Sequence, residues 1–146
     1  MTDPRPTLFR VFNEIAIIDQ LATAALARRL PEGLHPSQFG LLSNLVRLGD
    51  GKTPAALTQA FQVPKASMAN TLAQLEKHRL IDIRPHSEDG RKKLVFITNA
   101  GLALYAKTIA AMSGPVSQIT DGIGGLEDIL PVLEALRQKL DANRDI

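Results

Sequence analysis

Apolar positions recur along most of this chain at helical spacing. Leu8, Val11, Phe12, Ile15, Ile18, Ala22 and Leu26 fall three and four residues apart and form one stripe, so residues 8–30 are predicted as a long helix ended by Pro31-Glu32-Gly33. A second helix is predicted over 36–48, with Phe39, Leu42, Leu45 and Val46 inward and Gly49-Asp50-Gly51 as its stop. Thr53-Pro54 is a start signal: threonine caps, and proline is tolerated at the first helical position, where no N–H is needed. That helix is short and ends near Phe61. Gln62-Val63-Pro64 is a turn, and a further helix runs from Lys65 to about Arg79. Two helices meeting at a tight turn form a helix-turn-helix.

The period then changes. In 80–84, Ile81 and Ile83 alternate with polar residues, which predicts a strand. Residues 85–93 read as a loop and 94–97 as a second strand, joined through Asp89-Gly90, a pair that tolerates positive φ. A helix-turn-helix followed by a two-stranded hairpin is a winged helix. Thr98 is placed to cap another long helix, predicted to end at Gly114-Pro115. Gly122, Gly124 and Gly125 form a loose joint, and a last helix covers about 126–142 with Ile129, Leu130, Leu133, Leu136 and Leu140 apolar. Pro131 within it is predicted to kink the helix or delay its regular start. The fold class is mainly α: a winged helix-turn-helix with a two-stranded β-hairpin wing and long terminal helices.

Composition narrows the chemistry. The 146 residues suffice for one domain, 45% of them are hydrophobic and only 4% aromatic, so the core is aliphatic. A net charge of +2 says little by itself, but its distribution is uneven. Residues 62–93 carry seven Lys or Arg against four Asp or Glu, and residues 113–146 carry three against six. The absence of cysteine excludes disulfides, zinc–thiolate sites and thiol-based sensing. The N-terminus has no signal-peptide pattern and no apolar run is long enough to span a membrane, so a cytoplasmic location is expected. His35, His78 and His86 are scattered without metal-ligand spacing, and no nucleophile elbow or phosphate-cradling loop is present. No catalytic residue, cofactor or metal is expected, and the chain is not expected to be an enzyme.

On a helical wheel of 65–79, Met68, Leu72 and Leu75 share one face with Ala69 beside them. Ser67, Asn70, Thr71, Gln74 and His78 take the opposite face, with Lys77 at its edge. A solvated face more often carries Glu and Lys. Short side chains that both donate and accept suit base edges in the major groove. Asn70 can pair with adenine, Ser67 and Thr71 can reach bases or phosphates, and Lys65 at the helix start suits a phosphate. Arg91, Lys92 and Lys93 follow the hairpin turn directly, and a wing tip of this kind enters a minor groove, where negative potential attracts arginine. Asp89, two residues away, is expected to orient the Arg91 guanidinium. The bland reading of both features is a polar surface and a soluble turn; their succession favours DNA.

The run from Thr53 to Gly101 resembles the MarR family of bacterial winged-helix transcription regulators. The matching features are V-x-K-x-S-M at Val63–Met68, L-E-K-x-x-L-I at Leu75–Ile81, D-x-R at Asp89 and Arg91, and I-T-x-x-G at Ile97–Gly101. The resemblance implies a homodimer whose N-terminal helix interleaves with the last two helices. It implies one such domain over 1–146, with a DNA-binding lobe at 34–100 and a helical dimerisation region at 5–30 and 101–146. The implied partners are a palindromic double-stranded operator and, as for many members, a small-molecule effector that releases DNA, in a repressor. Ser67, Asn70 and Thr71 match base-contacting positions, Lys65 and Gln74 match positions near the backbone, and Arg91 with Asp89 match the wing. Three departures stand out: Pro64 where a capping Ser or Asp is common, Gln62 where Gly is frequent, and no arginine on the recognition face. The rival reading is a winged-helix protein-interaction module that does not bind DNA.

Overall fold

The computed structural model describes residues 2–86 and 88–145; Met1, Ile146 and Ser87, the last within the predicted 85–93 loop, lie outside it. The helices are α1 Arg5–Ala27, α2 Pro36–Leu48, α3 Pro54–Phe61, α4 Lys65–Lys77, α5 Asn99–Thr120 and α6 Leu130–Ala142. Strands β1 Ile81–Pro85 and β2 Lys93–Ile97 pair antiparallel, with Ile83 opposite Val95 and Pro85 opposite Lys93. Lys52 adds an isolated bridge to Val95, a short third rung that the alternation pattern did not announce.

The core is aliphatic and local. Leu41, Leu42 and Leu45 of α2 pack with Leu57 of α3, Met68, Leu72 and Leu75 of α4, and Leu80, Ile81 and Val95 of the hairpin. Phe39 is buried as expected and stacks on Tyr105 of α5, with ring centroids 5.6 Å apart. Val46, predicted inward, is instead 36% exposed, and Gln38 is buried although polar. Gln38 is drawn in by a capping box: its Oε1 accepts the His35 N–H at 3.0 Å while His35 Nδ1 accepts from Ser37 N.

Several boundaries moved for identifiable reasons. α1 ends at Ala27, three residues before the predicted limit, because Leu30 precedes Pro31 and is disfavoured in helical conformation. α4 ends at Lys77, with Arg79 at φ 58° closing it. Leu80 N donates to Leu75 O and Arg79 N to Glu76 O, a Schellman closure with Leu75 and Leu80 both in the core. α5 does not stop at Gly114-Pro115 but continues to Thr120. Gly114 has no Cβ to meet the Pro115 ring, so the usual clash before proline is relieved. The glycine joint follows it, with Gly122 and Gly125 at positive φ. Pro131 delays the last helix: a 3₁₀ turn, Glu127–Ile129, precedes it, and the proline lies in the first turn of α6.

Thr98 sits where three elements meet. Its hydroxyl accepts from Gly101 N at 3.0 Å and donates to Arg79 O at 2.7 Å, while its own N–H donates to Leu80 O at 3.1 Å. The cap of α5, the end of α4 and the end of β2 are thereby tied at one residue.

No residue of α1 or α6 is buried. The predicted α1 stripe exists, but it faces solvent: Leu8, Phe12 and Ile18 are exposed, as are Phe9 at 77% and Ile119 of α5 at 78%.

Candidate nucleic-acid interface

The α3–α4 turn is built by backbone geometry. Thr53 Oγ1 accepts from Ala56 N at 3.1 Å and starts α3. Gln62 ends it in the left-handed region at φ 51°, a conformation in which a side chain costs energy, and its Nε2 donates to Gln59 O at 2.7 Å. Pro64 then begins α4 without a side-chain cap. The amide N–H groups of the first turn of α4 therefore lack a capping acceptor and point out of the helix end, beside the exposed Lys65.

Met68, Leu72 and Leu75 anchor α4 in the core, and the opposite face is open. Ser67 and Asn70 are exposed; Thr71 and Gln74 are half-buried. Thr71 Oγ1 donates to Ser67 O at 3.1 Å, so its hydroxyl proton is engaged and only its acceptor side is free. Asn70 keeps both amide functions unengaged among the described residues, the requirement for bidentate pairing with a base edge. His78 caps the helix C-terminus and lies at the far end of this face.

Arg91, Lys92 and Lys93 are all exposed. The turn that carries them is closed by Lys92 N donating to Asp89 O at 3.0 Å and His86 N to Lys92 O at 2.8 Å. Asp89-Gly90 makes the predicted turn without positive φ at either residue. The half-buried Asp89 acts on Arg91 through the main chain: its Oδ1 accepts the Arg91 N–H at 3.1 Å. The carboxylate thus sets where the Arg91 side chain leaves the turn.

One cation was missed. Arg84 of β1 lies with its guanidinium carbon 4.4 Å above the Phe96 ring and 3.7 Å from the Asp82 carboxylate, measured from its terminal nitrogen. It adds a positive group, held by the ring, at the root of the wing. Strand alternation points it out: with Ile81 and Ile83 inward, Asp82 and Arg84 must face outward.

A cleft of about 770 Å³ separates α1 and α6 from the ends of α2 and α3, lined by Phe12, Ile15, Leu133 and Leu136 with Arg47 and Arg137. Among the described residues no cluster of metal-ligating side chains occurs, and no helix is long and apolar enough to cross a membrane.

A family model described as "MarR family" matches residues 32–92, the segment that holds the helix-turn-helix and the wing turn. Solved structures align over nearly the whole chain. The transcriptional regulator BldR from Sulfolobus solfataricus is 18% identical with a TM-score of 0.80, covering 94% of this chain and 99% of that one. A MarR transcriptional regulator from Methanosarcina mazei is 20% identical with a TM-score of 0.73, covering 88% and 94%. A mutant MarR from E. coli, solved in complex with operator DNA, is 21% identical with a TM-score of 0.68, covering 95% and 99%. At these identities the likeness speaks for the fold. These proteins are transcription regulators and not enzymes. With the family model matching the helix-turn-helix and wing turn, and the same architecture recurring end to end in these structures, residues 32–92 are similar to the MarR family and the chain has the winged-helix fold of these regulators.

Proposed function

We propose that this chain is a sequence-specific DNA-binding repressor that works as a homodimer on a palindromic operator. The observation that carries the reading is the pairing, on one rigid lobe, of an open hydrogen-bonding helix face with a basic turn. Ser67 and Asn70 suit base edges in the major groove, with Thr71 as an acceptor. Lys65, Gln74 and the uncapped amides of α4 suit the flanking phosphates. Arg91 enters the adjacent minor groove, Asp89 sets its exit from the turn, and Lys92 and Lys93 meet phosphate.

The exposed apolar faces of α1 and α5 support a second copy as the partner of residues 5–30 and 101–146, leaving 34–100 as the DNA-binding lobe. The cleft between α1 and α6 supports a small-molecule effector that alters the spacing of the two lobes. A regulator with these partners acts in the cytoplasm.

Fluorescence anisotropy of the upstream intergenic duplex at two salt concentrations tests the proposal. Affinity should exceed that for a scrambled duplex and fall with salt, with a log–log slope of about −0.9 per neutralised phosphate. Equal affinity for both duplexes, or no binding, would instead favour the protein-interaction module.

A further inference from the structure

Arg84 lies on β1, one residue before the strand ends at Pro85. Its side chain is 59% exposed, yet it is held. The guanidinium carbon sits 4.4 Å from the centroid of Phe96, a half-buried ring. Backbone braces that ring in turn. Gly51 stands at φ 72°, and a Cβ there would come within 3.0 Å of Phe96 Cε1. Gly51 N donates to Val95 O at 3.0 Å, so the backbone beside the ring is tied to the sheet. The α2–α3 loop supports the ring, and the ring holds the cation.

The guanidinium keeps hydrogen-bonding capacity to spare. A cation–π contact uses its charge and leaves its N–H donors free. Asp82 Oδ2 is 3.7 Å from Nη2, beyond hydrogen-bond length, and both side chains are exposed, so that pair is weak. Strand register adds a second fact. Arg84 stands opposite Leu94, and Pro85 opposite Lys93. Side chains alternate along a strand. Val95 is buried against the core, so Lys93, two residues away, leaves from the inner face of the hairpin. Arg84 and Phe96 leave from the outer face. The ribbon therefore carries a cation on each face where it gives way to the turn of Arg91.

We infer that Arg84 is a phosphate contact of the wing, preset by Phe96, and that it grips the DNA strand opposite the one met by Lys93. The minor groove is about 6 Å wide between its two backbones. A ribbon entering it tip first, with its plane along the groove, turns one face to each backbone. Arginine suits the outer face because its planar fork bonds two phosphate oxygens at once. Its hold on Phe96 reduces the side-chain freedom lost on binding. The inference rests on the reading that this lobe binds duplex DNA.

Fluorescence anisotropy of the full chain tests it, with the upstream intergenic duplex and a scrambled duplex of equal length across a salt series. Arg84→Ala should weaken binding to both duplexes by the same factor, about fivefold, and make the salt slope shallower by about 0.9. Arg84→Lys and Phe96→Leu keep the charge. Each should keep the slope and lose about threefold in affinity. Phe96→Leu added to Arg84→Ala should cost nothing more, because the ring acts through the cation. An unchanged slope and affinity in Arg84→Ala would overturn the contact, as would a loss confined to the intergenic duplex. A further loss in the double variant would overturn the presetting by Phe96. Ethylation interference on the intergenic duplex locates the contact: within one half-site, Arg84→Ala and Lys93→Ala should each lose interference at a phosphate, on opposite strands. Loss on the same strand overturns the two-sided grip. If the native chain binds neither duplex, the DNA reading itself falls, and this contact with it.

Discussion

The Cβ that Gly101 lacks would lie 2.3 Å from the carbonyl oxygen of Leu80 and 2.7 Å from Ile97 Cγ1. The first turn of α5 therefore presses directly on the backbone that links α4 to the wing, and no side chain fits between them. Gly101→Ala forces the two apart and should destabilise the protein by about 3 kcal/mol. At this chain length that lowers Tm by about 6–12 °C in a thermal melt. A melt within 1 °C of the native protein, on the order of a few tenths of a kcal/mol, would show that the junction yields almost without cost.

Arg79 offers the opposite sign. It occupies the left-handed closing position of α4 at φ 58°, where glycine has no penalty. Arg79→Gly should stabilise by about 1 kcal/mol, read from the urea midpoint at unchanged slope. The Thr98 hydroxyl bonds the Arg79 carbonyl, so that contact is kept.

The wing separates charge from geometry. Arg91→Ala should weaken operator binding by about 1–3 kcal/mol. Asp89→Ala removes the acceptor of the Arg91 N–H and should cost about 0.5–1 kcal/mol in spite of deleting a negative charge. Asp89→Asn keeps an acceptor oxygen and should bind at least as tightly as the native chain. If the asparagine variant weakens binding as much as the alanine one, Asp89 acts through its charge on the Arg91 guanidinium and not through the turn.

The unpartnered helices make a prediction about mass. Phe9 on α1 is 77% exposed, the kind of surface a second chain covers. Phe9→Glu places a charge in that contact, and light scattering should then report the mass of one 15.8 kDa chain where the native protein gives twice that. A native protein already at one chain mass would remove the dimer.

Much of this was legible because the signals are local. Thr53 and Thr98 cap the helices they were expected to cap, and Met68, Leu72 and Leu75 face inward. Where local rules competed, they misled. Gly114-Pro115 reads as a stop, yet α5 runs through it to Thr120; the glycine spares only the clash of a preceding Cβ with the proline ring. The turn at Asp89-Gly90 is where it was read, closed by an Asp89 side-chain acceptor without positive φ. The Lys52 bridge to Val95 and the Asp50 acceptor of Ile97 N span long stretches of sequence, and periodicity carries no information about such pairs. The α1 stripe was read correctly as apolar, but no residue of α1 is buried within the single chain.

Thr98 gives the fold a lever. α5 has 22 residues and so a length of about 33 Å, and it starts from the residue whose hydroxyl grips the end of α4. A tilt of only ~5° about that pivot displaces the far end of α5 by ~3 Å. Read in reverse, a displacement of a few ångströms near the glycine joint reaches the lobe of α2–α4 and the hairpin as a small rotation. Half-sites on a duplex are set by helical repeat, so small rotations are the kind of motion that takes two lobes out of phase with their grooves.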